Sequence, residues 1–213
     1  KSHKIKSEIT NNNSLLNSFL SIKGNKKDLY VEAKVEAYED LTKEKSSDKY
    51  QYLFPSFELS KSFNNNLNLE SNGYYKNYDT NVFEKVLINN LRYASIPKIK
   101  SNGFINKFNL LFKNVTTESD NSNEYSNNFR SQNFGSILYD ISYPLKKEGN
   151  NFDSFISGKA SLMYSPNKNK NIKNLDRKIG IKNIFNQNRL GLSDSVEGGQ
   201  SLTLGGEFKL TDK

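Results

Sequence analysis

The tightest constraint on this chain is an alternation of period two. From Leu29 to Tyr38, one parity holds Leu29, Val31, Ala33, Val35 and Ala37, and the other holds Tyr30, Glu32, Lys34, Glu36 and Tyr38. Successive side chains of a β-strand point to opposite faces. Such a segment therefore offers one apolar face and one polar face, whereas a helical period of 3.6 would mix the two sets. The pattern recurs along the chain. Phe57, Leu59 and Phe63 alternate with Glu58, Ser60 and Ser62, with Lys61 interrupting the apolar row. Leu67 and Leu69 alternate with Asn68 and Glu70, and Phe104, Phe108, Leu110 and Phe112 lie opposite Lys107, Asn109 and Lys113. Ile137 to Leu145, Ile156 to Tyr164 and Leu202 to Leu210 repeat it with Ser, Asp, Lys, Glu and Thr on the second parity.

Two segments are less regular. Leu15 to Ile22 reads as a strand. Asn81 to Leu91, whose Val82, Phe83, Val86, Leu87 and Leu91 also fit a helical spacing, reads as a strand with a register change. Turn-forming clusters punctuate the runs at residues 11–13, 64–66, 101–103 and 146–151. Two longer connections are expected, from Thr116 to Ser131 and from Ser165 to about Leu192. Tyr50, Tyr52 and Phe54 open one strand and Tyr74, Tyr75 and Tyr78 close the next, as an interfacial aromatic girdle would. Runs of about 9–11 residues are long enough to cross a bilayer when tilted.

Composition narrows the classes. The hydrophobic fraction is 34%, low for a soluble domain of this length, yet 12 Tyr and 14 Phe argue against disorder, which is poor in aromatics. Strands with one lipid-facing row reconcile the two. Without cysteine there is no disulfide framework, thiolate metal site or cysteine nucleophile. His3 is the single histidine, which leaves no histidine-based triad or multi-histidine metal site. Of the 31 basic residues behind the net charge of +8, only Arg92, Arg130, Arg177 and Arg189 are arginine. The lysines are scattered, unlike the arginine-rich stripes of nucleic-acid sites, so no nucleic-acid partner is expected. Gly198-Gly199 and Gly205-Gly206 lack the Gly-Lys-Ser/Thr of a phosphate loop and fit a turn or a strand bend. No cofactor, metal or catalytic residue is expected, and Asp194 with Glu197 are too few carboxylates for calcium. No apolar run reaches the ~18 residues of a membrane helix. The opening Lys1-Ser2-His3-Lys4 reads as that of a fragment or processed form, with any targeting segment upstream.

A soluble β-sandwich also has alternating strands. The length of the runs and the repeated charge on their polar parity favour an all-β, antiparallel transmembrane β-barrel segment. It is an incomplete barrel of about nine or ten strands spanning 1–213, since closed barrels avoid exposed edges.

Short blocks along the chain add a resemblance. Tyr50-Gln51-Tyr52-Leu53-Phe54-Pro55; Tyr75-Lys76-Asn77-Tyr78-Asp79-Thr80-Asn81 with Glu84 and Leu87-Ile88-Asn89; Tyr143-Pro144-Leu145; and Tyr164-Ser165-Pro166 occur in that order. Asn183-Ile184-Phe185, Asn188-Arg189-Leu190, Asp194 and Val196-Glu197-Gly198-Gly199 follow. Together they resemble the lipopolysaccharide-assembly protein family LptD, the organic solvent tolerance proteins, over most of residues 50–206. One glycine of the last block is displaced, to Gly191.

The resemblance implies a Gram-negative outer-membrane barrel that takes lipopolysaccharide from a periplasmic bridge and inserts it into the outer leaflet, with outer-membrane lipid around it. It also implies a lipoprotein plug, LptE, inside the barrel. The family's periplasmic jelly roll has no counterpart here, nor do the cysteines that join jelly roll to barrel in some members. The lateral gate between first and last strands would lie elsewhere, leaving this segment as wall and lumen. On that reading Lys34, Lys107, Lys113, Lys159 and Lys209 line the lumen and favour phosphorylated headgroups, in a mixed field with Glu32, Glu36, Asp140 and Glu207. Arg189, paired with Asp194 or Glu197, is expected to pin a loop. A porin, a TonB-dependent receptor and a soluble β-rich binding module are the alternatives; an enzyme is not expected.

Overall fold

The alternating runs become strands. The computed structural model describes residues 14–45, 49–78, 81–170, 178–189 and 191–212, with the backbone of 6–8; His3 lies outside them. The strands are β1 (Lys6–Glu8), β2 (Leu15–Lys26), β3 (Leu29–Asp40), β4 (Tyr50–Ser62), β5 (Leu67–Tyr78), β6 (Val82–Ala94), β7 (Lys98–Ile99), β8 (Ile105–Asp120), β9 (Arg130–Glu148), β10 (Phe152–Ser165) and β11 (Gly199–Asp212). They form one sheet in the order β1-β2-β3-β4-β5-β6-β8-β9-β10-β11, with β7 paired to β8 off that path. The expected all-β antiparallel fold is present. Among the described residues ten strands lie on the main path of the sheet, within the nine or ten expected, and the two-residue β7 is an addition beside β8. β8 and β9, at 16 and 19 residues, exceed the expected span. The connection expected from Thr116 begins only after Asp120, since Thr117 and Ser119 continue the buried row of β8.

The chain divides into two compact units, Lys1–Leu91 with Asn114–Asn133 and Arg92–Lys113 with Phe134–Lys213. In the first, β2 and β3 form a hairpin whose turn places Lys27 at φ 50. Leu20 pairs with Val35 and Ile22 with Ala33 on the apolar face, while Ser21 meets Lys34 and Lys23 meets Glu32 on the polar face. β4 solves a parity problem visible in its sequence. Phe57 and Leu59 are odd-numbered, whereas Tyr50, Tyr52 and Phe54 are even-numbered. Between Leu53 and Ser56, β4 carries one residue more than either neighbour. A one-residue bulge exchanges the two faces, so Phe57 pairs with Ala33, and Tyr52 with Ala37, on the same apolar face. The rings of Tyr50, Tyr52 and Phe54 stack in sequence, with centroids 6.2 and 5.5 Å apart. Phe57 lies over Gly73, where an added Cβ would come within 2.8 Å of the ring and of the Val86 carbonyl oxygen.

In β6 burial alternates without a break from Glu84 to Asn90, and a register shift lies in β4. Val86, Ile88 and Val115 are the buried apolar side chains among this unit's described residues. The aromatic group at the end of β5 is divided by the pleat. Tyr74 shares the polar parity with its partner Ser56, and Tyr78 donates to the buried Glu84 carboxylate at 2.9 Å. Tyr75 alone of the three lies on the apolar face.

In the second unit β10 pairs with β9 and β11 along nearly its whole length. One face presents Ile137, Tyr139, Ile141, Tyr143 and Leu145 of β9, Ile156, Ala160, Leu162 and Tyr164 of β10, and Leu202, Leu204, Phe208 and Leu210 of β11. The pairs Leu162↔Leu202, Ala160↔Leu204 and Ile156↔Phe208 join these rows. The other face presents Ser136, Leu138 and Asp140, then Ser157, Lys159, Ser161 and Met163, then Thr203, Glu207 and Lys209. Leu138 and Met163 are buried on this second face, while Leu202, Leu204 and Phe208 on the first are 66%, 71% and 62% exposed. Ser136, Ser161 and Thr203 are buried on the second face as well, while Lys159, Glu207 and Lys209 stay exposed there.

Candidate functional site

Part of the polar face of the second unit is covered by its own chain. After Ser165, Pro166 has no backbone N–H to continue the β10 ladder. Asn167 replaces it with a side-chain amide. Its Oδ1 accepts from the Gly135 N–H at 3.2 Å and its Nδ2 donates to the Gly135 carbonyl at 3.0 Å. The segment then returns over the sheet. Phe185 sits on Gly205, where a Cβ would lie 2.8 Å from the ring, and the Lys159 ammonium stands 4.5 Å from the centroid of that ring. The Gln187 amide nitrogen donates to the carbonyls of Asn109 and Ser136, at 3.3 and 2.9 Å, and lies 3.0 Å from the Ser136 hydroxyl. The Thr203 hydroxyl donates to the Ile184 carbonyl.

Lys113 holds the next stretch. Its side chain is buried, and its ammonium donates to the carbonyls of Ser193 at 2.5 Å and of Leu192 and Ser195 at 3.3 Å. Three carbonyl oxygens match the three N–H donors of an ammonium, which suits a cation withdrawn from water. Arg189 and Glu197 form a two-pronged ion pair: Nε donates to Oε2 at 2.9 Å and Nη2 donates to Oε1. Both side chains are largely buried. The carboxylate holds the Arg189 guanidinium above its ordinary pKa, while burial acts in the opposite direction. The two legs of the segment meet where Gly198 passes Asn167. A Cβ on Gly198 would fall 2.0 Å from the Asn167 carbonyl oxygen, and the Gly198 N–H donates to Asn169 Oδ1 at 2.8 Å. Gly199, at φ 96, then turns the chain into β11.

The eight residues singled out in the sequence fall as follows. Lys113 and Lys159 touch the returning segment, and Arg189, Asp194 and Glu197 belong to it. Of the two partners open to Arg189, Glu197 is taken; Asp194 pairs with Lys170 instead. Lys107 is half-buried on the polar parity of β8. Lys209, exposed on β11, borders an open cavity of about 520 Å³ with Lys146, Asp153, Phe155 and Glu207. Lys34 belongs to the first unit, where Glu36 at 3.3 Å and Glu32 at 3.6 Å flank it.

Sequence reading missed Asn167, Phe185, Gln187 and Ser195. For Asn167 there was a signal in the preceding proline, which leaves a ladder position to be filled. Nothing local distinguishes Gln187 or Ser195, whose partners lie on distant strands. No family model matches the chain, and no curated protein matches it.

Proposed function

We propose that this chain is a wall segment of an outer-membrane β-barrel, and that the barrel inserts lipopolysaccharide into the outer leaflet. The observation that carries the membrane reading is the joined apolar rows of β9, β10 and β11, open to the surroundings while the opposite face holds Ser, Asp, Lys and Thr. Contiguous apolar surface on this scale marks a membrane or a partner interface, and the alternation of apolar and polar faces is that of a barrel wall. The lipopolysaccharide reading rests on the ordered resemblance of the blocks between Tyr50 and Gly206 to LptD. Within it, the partners are lipopolysaccharide, the plug lipoprotein LptE and the periplasmic bridge, and the segment supplies wall rather than gate.

Leu204→Lys tests the membrane reading. In lipid, a charge on the outward face near mid-depth costs roughly 2–4 kcal/mol; on a water-exposed surface the change stays within about 0.5 kcal/mol. The expected result is a large drop in folded protein recovered from outer membranes. Unchanged stability, with a monodisperse chain in plain buffer, would overturn it. Depleting the full-length protein in its own cells tests the second half: surface lipopolysaccharide should fall, and unchanged surface levels would leave a barrel of another kind. The segment folded over the polar face specifically favours one such kind, a loop-restricted porin. Single-channel conductance that rises when residues 178–197 are deleted, with lipopolysaccharide export intact, would select it.

A further inference from the structure

Between the returning segment and its own ends lies a partly enclosed cavity of about 240 Å³, lined by Asn169, Lys170, Asn188, Leu192, Ser195, Val196 and Glu197. Two of its lining residues carry buried oxygens with no hydrogen-bond partner among the described residues, Asn188 Oδ1 and Ser195 Oγ. Ser195 is 3% exposed. Unpartnered buried polar atoms are uncommon and each calls for an explanation. Turning the Asn188 amide over does not supply one, because its Nδ2 already donates to the Leu192 carbonyl at 2.9 Å. Asn188 Oδ1 therefore requires a donor that the described residues do not supply, and Ser195 Oγ can donate or accept.

The cavity is too large for one bridging water, whose share of volume is about 30 Å³. It is smaller than the ~300–1,000 Å³ sites that take drug-sized ligands. Its walls are of two kinds. Val196 at 1% and Leu192 at 9% exposure give an apolar surface, while Asn169, Asn188, Ser195 and Glu197 give a polar one. The ion pairs Arg189–Glu197 and Lys170–Asp194 fix the walls on either side. A bare anion cannot donate to Asn188, and a metal cation would sit beside the ammonium and guanidinium groups of Lys113, Lys170 and Arg189.

We infer that this cavity binds a single sugar ring, whose C–H face packs on Leu192 and Val196 and whose hydroxyls donate to Asn188 Oδ1 and pair with Ser195 Oγ. The inference rests on the geometry of the segment and not on the lipopolysaccharide reading. A free saccharide and the headgroup of a glycolipid share this chemistry.

The test uses the whole protein in detergent, with glucose as probe, followed by saturation-transfer NMR. Saturable glucose binding is expected, weakened about tenfold in Ser195→Ala, which removes the unpartnered hydroxyl and none of the carbonyl contacts to Lys113. Tryptic cleavage at Arg189 reports whether the segment stays seated, and Lys34→Met serves as a control that should bind as the parent does. Absence of saturable binding in the parent, or equal affinity in Ser195→Ala with the segment seated, overturns the proposal and leaves a water-filled cavity. Displacement of glucose by lipopolysaccharide would identify the glycolipid as source, and no displacement a free saccharide; both support the site. Binding that persists while depletion leaves surface lipopolysaccharide unchanged would keep the site and remove the proposed function.

Discussion

Lys34 and Lys113 occupy equivalent positions in the pleat, each on the polar parity of a long strand, yet the two units treat them differently. On β3 the same-face neighbours of Lys34 are Glu32 and Glu36, two residues away on either side. Lys23 reaches Glu32 at 3.1 Å, and the hydroxyls of Tyr30 and Tyr38 donate to Glu32 and Glu36, each at 2.5 Å. The strand and its hairpin partner supply the ion pairs, and Lys34 stays partly in water. On β8 the same-face neighbours of Lys113 are Leu111 and Val115, both buried. Neither offers a charge, and the carbonyls of residues 192, 193 and 195 come from far along the chain. Where a lysine alternates with glutamate its face can remain open; where it alternates with aliphatic residues it recruits a segment to cover it.

The sharpest way to break this contrast is at the crossing of the segment's two legs. Gly198→Ala places a methyl group against the backbone of Asn167, the residue whose side-chain amide pairs with Gly135. Loss of the seated segment is expected, at roughly 3 kcal/mol or more. It would be seen as rapid tryptic cleavage at Lys182 and Arg189 while β2 to β5 remain intact. Resistance equal to that of the parent would show that the two legs have room to separate, and the account of Gly198 would fail.

The two lysines give the direct comparison. Lys113→Met keeps the length of the side chain and leaves three carbonyl acceptors without their donor, at roughly 2–4 kcal/mol. Lys34→Met removes a partly exposed ion pair and should cost below about 1 kcal/mol, with Lys23 still beside Glu32. Urea midpoints in detergent at unchanged slope measure both. Equal shifts would mean that the carbonyl cage contributes no more than an exposed salt bridge.

How much of this was legible follows from the distance over which each signal acts. Strand identity and face are set by residues two apart, so Leu29–Tyr38 and Ile137–Leu145 declared themselves, as did the polar parity of Lys34, Lys113 and Lys159. The bulge in β4 was written in the parity change between Phe54 and Phe57, but its position depends on the register with β3 and β5. The short spacing of Arg189 from Asp194 and Glu197 makes both carboxylates candidate partners in the sequence, and the structure pairs it with Glu197. The choice of Glu197 over Asp194 was not readable, since Lys170 competes for Asp194 from the other leg. The seat of the segment was invisible because its partners, Asn109, Lys113, Ser136 and Gly205, lie on strands whose proximity only folding creates.

The smallest expected effect tests whether the segment needs geometry as well as charge. Arg189→Lys keeps the cation opposite Glu197 but replaces a planar fork by a single point donor. In the parent, Nε and Nη2 each address a different oxygen of the carboxylate, which fixes the rotation of Glu197 and with it one wall of the cavity beside Ser195. Lysine can satisfy one oxygen at a time, so a loss of about 1 kcal/mol is expected, smaller than for Lys113→Met because the charge pair survives. The fork also separates two roles that stability alone confounds. If Glu197 is only pinned, Arg189→Lys lowers the urea midpoint and leaves glucose affinity unchanged. If its orientation shapes the sugar cavity, affinity falls further than the change in midpoint explains, while Lys113 still holds Leu192, Ser193 and Ser195 in place.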